Sequence, residues 1–300
     1  MKLEAGHSFL AYIEKQAPMY IKSPLNYTGG KYKILESIFQ AFPPDIRIFV
    51  DVFAGGFNVG VNAEAELIIC NDQITCLIRM FEMLQSTDIS VILERIKNLV
   101  REYGLTRKNG EGYYALRAHY NETGDVTELF VLACYAFNHQ MRFNNRYEFN
   151  SPFGKNRSAY NRSIERNLVL FCRALKTKNI EFSNLDFLEL DFEGLDARDL
   201  VYCDPPYLIS TGNYNDGKRG FKDWREKEEW ELLGLLDRLN DKNVRFALSN
   251  VLYHKGRSND LLIQWSRRYQ VHSIDKTYSN CSYQFKDRGT ATAEVLITNY

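Results

Sequence analysis

The chain has 300 residues, 45% of them hydrophobic and 14% aromatic, and its 38 basic and 38 acidic side chains give a net charge of zero. That length and composition allow a substantial core, in one large or two modest domains. The balanced charge neither favours nor excludes nucleic acid as a partner, so local clusters of charge have to decide. The segment before Pro18 has no long apolar run, and we therefore expect neither a signal peptide nor a membrane-spanning helix there.

Cysteine spacing bears on the compartment and on metals. The chain has six cysteines, several of them in apolar runs, and they form neither a CxxC pair nor a Cys/His spacing: Cys70, Cys76, Cys134, Cys172, Cys203 and Cys281. This pattern indicates buried thiols rather than disulfide bridges or a zinc site. We therefore expect a reduced, cytoplasmic protein without a bound metal.

Apolar runs and helical periodicity alternate along the chain. Short apolar runs, which are typical of buried parallel strands, span residues 48–53, 67–71, 200–203, 244–249 and 294–298. Helix-like stretches span residues 31–41, 73–83, 89–103, 168–177, 226–239 and 259–268. The alternation predicts an α/β fold, an open sheet with helices on both faces. Because no helix separates residues 269–279 from the last strand, that strand can enter the sheet antiparallel, as a closing hairpin.

The middle of the chain departs from this rhythm. Residues 141–166 contain six basic and two acidic side chains, with five asparagines and five aromatic residues among them. Few aliphatic residues and little periodicity are typical of an inserted surface region rather than of a core. We place the insertion at residues 95–167, between two parts of the sheet domain, 1–94 and 168–300.

The first strand runs directly into two glycines, in Val52-Phe53-Ala54-Gly55-Gly56. Glycine lets the backbone turn tightly and approach a ligand where a Cβ would obstruct it. The segment is neither GxGxxG nor a GxxxxGK[ST] phosphate loop, which disfavours a pyrophosphate or triphosphate ligand. Taken alone, such a glycine pair is more often a plain strand-to-helix turn.

Two further segments add to the glycine turn. The second strand ends at Asp72, about twenty residues after the glycines, where a carboxylate can accept the ribose hydroxyl hydrogens of an adenosine. Asp72 can also be the N-cap of a helix that begins at Gln73. Upstream, Gly29, Gly30 and Lys31 open the first helix, where they either hold a carboxylate group or merely shape a loop.

The strand at 200–203 ends in Asp204-Pro205-Pro206-Tyr207. The prolines stiffen the turn and leave its carbonyls free to accept hydrogen bonds. An amino group on a heteroaromatic ring is a poor nucleophile, because its lone pair is delocalised into the ring. The Asp204 carboxylate and the Pro205 carbonyl can accept both of its hydrogens and favour an attacking geometry, while Tyr207 stacks on the ring. The alternative is a strand-ending turn with Asp204 as a cap, which is rare for this tetrapeptide.

Five segments follow one another in a characteristic order: Tyr27-Thr28-Gly29-Gly30-Lys31, residues 49–56, Asn71-Asp72, residues 204–209 and residues 248–251. In this order they resemble the sequence blocks of the Dam-type DNA adenine N6-methyltransferases, especially the phage form. The resemblance covers nearly the whole chain from about residue 22. It implies a Rossmann-like methyltransferase sheet at 1–94 and 168–300, with an inserted, mainly helical and hairpin target-recognition domain at 95–167.

The resemblance also implies S-adenosylmethionine as the cofactor. The residues that it assigns to the cofactor are Tyr27, Lys31, Asp51, Phe53, Gly55, Asp72, Asp186, Phe187 and Asp204, with Asp186 and Phe187 against the adenine ring. The catalytic residues that it assigns are Asp204, Pro205, Pro206 and Tyr207. Tyr214 is similar to a family tyrosine that helps to hold the flipped base or the cofactor.

The chain departs from the family pattern at two places. Phe57 stands where bacterial relatives usually have a further glycine, although phage-like members also carry a bulky residue there. The stretch 215–222 is longer than in the phage form.

Residues 136–144 and 149–157 resemble the recognition hairpin of the family and its approach. Arginine and lysine can pair with guanine or clamp phosphates, asparagine suits adenine, and a ring such as Phe137 or Phe143 can wedge into the gap left by an extruded base. A solvated basic loop over buried aromatic rings is the alternative. The candidate DNA-contacting residues are Phe137, Asn138, Gln140, Arg142, Asn144, Lys155 and Arg157.

The sequence therefore predicts an enzyme, monomeric or weakly dimeric, that flips an adenine out of double-stranded DNA and methylates its amino nitrogen by direct displacement. It would work in the cytoplasm of a bacterial or phage-infected cell, and the resemblance implies GATC as its site. The alternatives are another amino group, in cytosine, RNA adenine or a protein amide, and a non-catalytic DNA-binding subunit of the same fold. Aspartate at position 204 favours adenine over cytosine, and the basic insertion favours nucleic acid over protein. The missing GxGxxG disfavours a dehydrogenase.

Overall fold

A computed structural model describes residues 18–27, 29–209, 224–274 and 292–300. Thr28, Tyr214 and Cys281, which the sequence analysis singled out, lie outside the described residues. The chain divides into two compact units. The first comprises residues up to Tyr32 together with 55–62 and 74–182, and the second comprises 33–54, 63–73 and 183–300.

The described residues combine strands with helices, and five α-helices follow one another between the second and third strands. The helices are α1 (Leu35–Ala41), α2 (Thr75–Ser86), α3 (Ile89–Glu102), α4 (Gly110–Thr123), α5 (Val126–Tyr135), α6 (Arg162–Thr177), α7 (Glu226–Asp241) and α8 (Asp260–Ser266). The strands are β1 (Ile46–Asp51), β2 (Ala65–Asn71), β3 (Ile180–Ser183), β4 (Leu200–Cys203), β5 (Arg245–His254), β6 (Arg257–Ser258), β7 (Gln270–Ser273) and β8 (Thr292–Thr298). Short 3-10 helices lie at Lys31–Ile34, Gly60–Asn62 and Phe137–His139.

The first unit is helical, and α5 lies at its centre. Asp125 caps α5 by accepting hydrogen bonds from the backbone amides of Thr127 (2.9 Å) and Glu128 (3.0 Å). Every residue from Thr127 to Tyr135 is buried, and α2, α3 and α4 all pack against this helix. A helix that is apolar nearly all round has no face for water, which explains its central position.

Two other helices of the first unit, α3 and α6, begin at polar caps. Asp88 accepts from the amide of Ser90 at 2.8 Å before α3, and Asn161 accepts from the amides of Ser163 (2.9 Å) and Ile164 (3.1 Å) before α6. Such caps satisfy amides that lack a partner within the helix. The helix predicted over 89–103 is confirmed, whereas α6 begins at Arg162, six residues before the predicted start at 168.

The second unit is built on a mixed sheet. Its strands lie in the order β2, β1, β4, β5, β8 and β7, and β6 pairs with β5 off this path. β2, β1, β4 and β5 are parallel, whereas β8 is antiparallel to both β5 and β7. The predicted α/β fold and the antiparallel entry of the last strand are therefore confirmed. The core of this unit includes Val50, Val52, Val201, Cys203, Leu232, Leu236, Phe246, Leu248, Leu262 and Ile297.

The predicted insertion, residues 95–167, lies wholly within the first compact unit, together with α2 and the rest of α6. Its boundaries as a separate recognition domain stay a prediction. The cysteines of the described residues are free, and all but the half-buried Cys76 are buried, as predicted.

Candidate active site

The carboxyl ends of β1, β2 and β4 lie side by side in the second unit, because the three strands are parallel. Asp51, the last residue of β1, is opposite Cys70 of β2 and Tyr202 of β4. Asp72 and Asp204 directly follow β2 and β4. Three predicted carboxylates thus come to one edge, which is where open α/β sheets bind their ligands. We refer to these strand ends, residues 51–54, 71–72 and 203–207, as the sheet edge.

Asn71 connects two of these strand ends to the segment that follows β3. Its side-chain amide donates to the carbonyls of Val52 (3.0 Å) and Leu185 (3.1 Å), and its side-chain oxygen accepts from the Leu185 amide (3.0 Å). Its own carbonyl accepts from the Ala54 amide at 2.9 Å. Asn71 is 1% exposed, and both its side-chain nitrogen and its side-chain oxygen have hydrogen-bond partners, as buried polar groups require. The sequence analysis quoted Asn71 only beside Asp72 and missed this function.

Asp72 is buried at the end of β2. Its backbone amide donates to the carbonyl of Ser183 at 3.3 Å, and its carbonyl accepts from the side chain of Asn184 at 2.7 Å. α2 begins at Thr75, with Ile74 at its N-cap position, so the helix starts two residues later than the predicted start at Gln73. The backbone of Asp72 is therefore fixed from both sides.

Three aromatic rings cluster beside the end of β1. The ring centroids of Phe53 and Phe187 are 5.5 Å apart, and the Trp224 ring lies 5.6 Å from Phe53 and 5.7 Å from Phe187. The sequence analysis named Phe53 and Phe187 but missed Trp224. No motif marks Trp224, and it lies far along the chain from both rings.

Glu229 fixes the Trp224 ring of this cluster by hydrogen bonding. The indole N–H of Trp224 donates to Glu229 Oε2 at 2.6 Å, and Asn250 (3.2 Å) and Asn259 (2.9 Å) donate to Oε1. Burial raises the pKa of Glu229, although the hydrogen bonds that it accepts oppose the rise. Because Asn250 lies in β5 and Asn259 caps α8, the network ties the ring of Trp224 to the frame of the second unit.

The Asp204-Pro205-Pro206-Tyr207 turn brings two predicted catalytic side chains together. The Tyr207 hydroxyl lies 3.0 Å from Asp204 Oδ1, and it also lies 3.0 Å from Oε1 of Glu294 in β8. Burial, together with these two carboxylates, raises the pKa of Tyr207 well above its usual range. The hydroxyl is therefore protonated at neutral pH. Glu294 entered the sequence analysis only as the start of a strand.

Asp186 lies in a turn directly before Phe187. Its carboxylate accepts from the amide of Leu188 at 3.1 Å, and its own amide donates to Glu189 Oε2 at 3.2 Å. These bonds shape the turn that presents Phe187. Contact between Asp186 and an adenine ring stays a prediction.

The glycine turn after β1 packs against Tyr27 within the first unit. Gly55 has a φ of +49°, and a Cβ built on it would lie 2.8 Å from Cε1 of Tyr27. A Cβ on Gly56 would lie 2.9 Å from Cβ of Tyr27. The glycines therefore allow a side chain of the same unit to come close to the backbone, and their approach to a ligand stays a prediction. Lys31 is buried, and its ammonium donates to the carbonyl of Gly29 at 3.0 Å.

Phe57, the departure from the family pattern, is a core residue of the first unit. It has a φ of +57° and is fully buried. Its ring lies 5.8 Å from that of Phe81 in α2 and 6.4 Å from that of Phe171 in α6. The left-handed backbone favours glycine, and the packing of the ring offsets that preference.

Residues 142–150 form a hairpin docked on α4. The carbonyl of Arg142 accepts from the amide of Asn150 at 2.9 Å. Asn121 of α4 accepts from the amide of Phe149 (2.8 Å) and donates to its carbonyl (3.2 Å). Phe143 is only 5% exposed and packs edge-on against Phe149 at 5.7 Å. The prediction that Phe143 can wedge into DNA is therefore wrong, because its ring belongs to the core under the hairpin.

Polar side chains in and beside the hairpin bind one another. Arg142 donates to Gln140 Oε1 at 2.6 Å, and Asn144 donates to Glu148 Oε2 at 2.7 Å. Asn144 also accepts from the backbone amides of Arg146 (2.9 Å) and Glu148 (3.0 Å), which fixes the turn. Three predicted DNA contacts, Gln140, Arg142 and Asn144, are thus occupied within the unit.

A second group of predicted DNA contacts is exposed. Phe137 is 39% exposed, and the guanidinium of Arg157 lies 4.7 Å from the centre of its ring. Arg157 also donates to Asn138 Oδ1 at 3.2 Å, and the backbone of Asn138 is left-handed, with a φ of 54°. Lys155 is exposed in the same loop. The structure therefore brings Phe137, Asn138 and Arg157 together at the surface of the first unit.

None of the helices that the structure describes is long and apolar enough to cross a membrane. Among the described residues, no group of three or more His, Cys, Asp or Glu side chains is arranged to hold a metal ion.

A family model described as D12 class N6 adenine-specific DNA methyltransferase matches residues 27–280. The chain is 50% identical over 281 residues to the type II methyltransferase M.FokI of Planomicrobium okeanokoites, an alignment that covers 94% of this chain and 43% of the relative. It is 46% identical over 283 residues to the modification methylase StsI of Streptococcus sanguinis, with coverage of 94% and 43%. The chain thus spans less than half the length of these relatives.

A more distant relative matches over most of both chains. The DNA adenine methylase of Escherichia coli (strain K12) is 25% identical over 255 residues, which are 83% of this chain and 86% of the relative.

Proposed function

The chain belongs to the D12 class N6 adenine-specific DNA methyltransferase family, and on that premise we propose that it transfers a methyl group to the exocyclic amino nitrogen of adenine in double-stranded DNA. The observation that carries the proposal is the position of Asp204-Pro205-Pro206-Tyr207 at the carboxyl end of β4, directly beside β1.

The proposed chemistry is positioning combined with polarisation of the amino group. The Asp204 carboxylate and the Pro205 carbonyl accept the two amino hydrogens, which favours a nitrogen lone pair directed at the methyl group. Tyr207 stacks on the base, and Pro206 keeps the turn stiff. The amino group of a paired adenine is inaccessible to such a site, so the base must be flipped out of the duplex. Neither a metal ion nor a covalent enzyme intermediate is needed.

We propose S-adenosylmethionine as the methyl donor, which supplies a methyl group on a positively charged sulfur when it is bound. The sheet edge fits it chemically: the buried Asp72 carboxylate suits ribose hydroxyls, and the half-buried ring of Phe53, which packs on the buried rings of Phe187 and Trp224, offers an apolar surface for an adenine. The other cofactor residues keep the assignments that the resemblance implies: Tyr27, Lys31, Asp51, Gly55, Asp186 and Asp204.

We assign DNA contact to the first unit, with residues 95–167 as its recognition domain. The exposed Phe137 is the candidate wedge, and Arg157 and Lys155 are candidate phosphate contacts. Gln140 and Arg142 are candidates for reading bases once they exchange their mutual hydrogen bond for one to DNA. Tyr214 and the recognition sequence GATC rest on the resemblance alone.

The names of two relatives bear on the biological setting. M.FokI is a type II methyltransferase and StsI a modification methylase. We therefore propose that this chain marks DNA within a restriction-modification system, in the cytoplasm of a bacterial or phage-infected cell and as a monomer or weak dimer.

The test is methylation of plasmid DNA by the full chain. Tritiated methyl groups should pass from S-adenosylmethionine to the DNA, and single-molecule sequencing of plasmid from an expressing strain that lacks adenine methylation should show N6-methyladenine at one recurrent sequence. Asp204→Ala serves as the matched control. Methylated cytosine would instead support the alternative substrate, and DNA binding without any transfer would support a non-catalytic subunit. The same sequencing reads the recognition site directly and decides whether it is GATC.

A further inference from the structure

The Tyr207 hydroxyl lies between two carboxylates that come from different parts of the second unit. Asp204 follows β4, and Glu294 lies in β8, opposite Val251 of β5. Both carboxylate oxygens are 3.0 Å from the hydroxyl oxygen. Only the antiparallel placement of β8 brings Glu294 to this point.

A phenol has one hydrogen, and an ionised carboxylate can only accept. The hydroxyl therefore donates to one of the two carboxylates at a time, and the other faces a lone pair of the phenol oxygen. Which carboxylate receives the hydrogen matters for Asp204, because the proposed function gives Asp204 a second donor, the amino group of the base.

We propose that Glu294 is a positioning residue that accepts the Tyr207 hydroxyl hydrogen and so leaves the Asp204 carboxylate to the amino group. This inference rests on the proposed function of Asp204. The hydrogen changes partner by rotation about the Cζ–Oη bond, so no proton leaves the tyrosine and no covalent bond forms or breaks. A charge-assisted hydrogen bond to Glu294 also fixes the hydroxyl end of the ring that stacks on the base.

The kinetic test is a double-mutant cycle on the single-turnover rate of methyl transfer, at saturating DNA and S-adenosylmethionine. Glu294→Ala should lower the rate about tenfold, because the hydroxyl hydrogen then turns to Asp204. Glu294→Gln keeps a side-chain oxygen as acceptor and should stay within about threefold of the wild type. Because Tyr207→Phe removes the competing hydrogen, Glu294→Ala should change the rate less than about twofold in that background.

Two kinetic outcomes would overturn the inference. One is an undiminished effect of Glu294→Ala in the Tyr207→Phe background. The other is a loss that appears as weaker binding of S-adenosylhomocysteine or of DNA instead of a slower transfer, since a merely structural residue would act in that way.

A second measurement is independent of activity. The Tyr207 signal in protein labelled with 13C at tyrosine Cζ is assigned by its loss in Tyr207→Phe, and Glu294→Ala should shift this signal more than Asp204→Asn does. A larger shift in Asp204→Asn would show that Asp204 holds the hydrogen and would overturn the inference. A wild-type chain that methylates no DNA would contradict the proposed function, and the Cζ signal would still decide which carboxylate Tyr207 binds.

Discussion

The sheet edge and the hairpin use polar side chains in opposite ways. At the sheet edge, Asn71 binds the backbone of Val52 and Leu185, so that an amide to which we assign no chemistry fixes the strand ends. At the hairpin, candidate contact residues bind other side chains, as Arg142 binds Gln140. One region is held rigid by residues that we assign no chemistry, and the other by the very residues that we assign to DNA.

This difference indicates where each region contributes to the proposed reaction. A preorganised edge lowers the barrier of the transfer step, because its geometry needs no rearrangement when substrate binds. Side chains that must exchange an internal hydrogen bond for one to DNA gain little net affinity from each contact. Because the exchange is favourable only with a matching DNA group, these contacts contribute specificity. Changes at the edge should therefore alter rate or stability, and changes near the hairpin should alter DNA affinity.

The largest effect is expected at Asp204. Asp204→Ala should lower the transfer rate by about 10³-fold, because it removes one of the two acceptors of the amino hydrogens. Calorimetric titration should show that S-adenosylhomocysteine still binds, and tritium transfer to DNA should measure the loss. Full activity in this variant would sink the proposed mechanism, and weakened DNA binding with an intact rate would break the contrast between the two regions.

Asn71→Ala should lower the free energy of unfolding by about 3 kcal/mol, because it leaves the buried polar groups of Val52 and Leu185 without their partner. Urea denaturation measures the change. The matched control is Asn184→Ala, which removes one hydrogen bond of an exposed side chain at the same edge and should stay within about 1 kcal/mol of the wild type. Equal losses in the two variants would show that Asn71 has no special part in fixing the edge.

At the opposite end of the parallel strands, the half-buried Arg47 of β1 pairs with the buried Asp199. The Arg47 guanidinium donates to Asp199 at 2.9 Å, and the amides of Ile48 (3.0 Å) and Asp196 (2.7 Å) donate to the same carboxylate. Burial would raise the pKa of Asp199, but these hydrogen bonds outweigh it and hold the pKa below its usual range. Asp199→Asn should cost about 2 kcal/mol of stability at neutral pH.

The pH dependence of that loss follows from the direction of the shift. Because folding lowers the pKa of Asp199, its contribution is complete above the unfolded pKa of about 3.9 and disappears as the pH falls through the lower folded value. Unfolding free energies measured from pH 7 downwards should therefore converge for wild type and Asp199→Asn. The rate of methyl transfer by the folded variant should be unchanged. A slower transfer would show that the ion pair at the start of the strands also affects the chemistry at their carboxyl ends.

The smallest effect is expected at Arg157. Arg157→Ala should weaken DNA binding by about threefold to tenfold and lower the salt dependence of binding by about one counterion, if Arg157 contacts a phosphate. Fluorescence anisotropy at several salt concentrations measures both quantities. Lys97→Ala on the exposed face of α3 is the charge-matched control, and its salt slope should equal that of the wild type. Equal slopes for wild type and Arg157→Ala would remove this residue from the interface.

Local patterns were sufficient to predict most of the sheet. β4 coincides with the predicted run at 200–203, and the other predicted runs all fall within observed strands or extend past them by at most a few residues. The bounds of α4 and α5 were not predicted. Because α5 is apolar nearly all round, it lacks the periodicity by which an amphipathic helix is found.

Site residues that directly follow a strand could be predicted from the sequence. Residues whose position depends on the sheet topology or on side-chain pairing could not. Asp72 and Asp204 could be placed because they end apolar runs. Trp224 and Glu294 could not, because no local pattern shows that they come near Phe53 and Tyr207. The mutual binding of Gln140 and Arg142 depends on rotamers, which a list of residue types does not contain.

The position of β8 in the chain also limits the order in which the strands of the second unit can pair. β8 is synthesised after β5 and β7, yet among the described strands it is the element that joins them. Until it leaves the ribosome, one side of β5 presents an unpaired edge that other chains can pair with. Glu294 arrives on the same strand, so a nascent chain that still lacks β8 holds Asp204 and Tyr207 without the second carboxylate. The closing of the sheet and the completion of the Tyr207 site thus depend on the same strand.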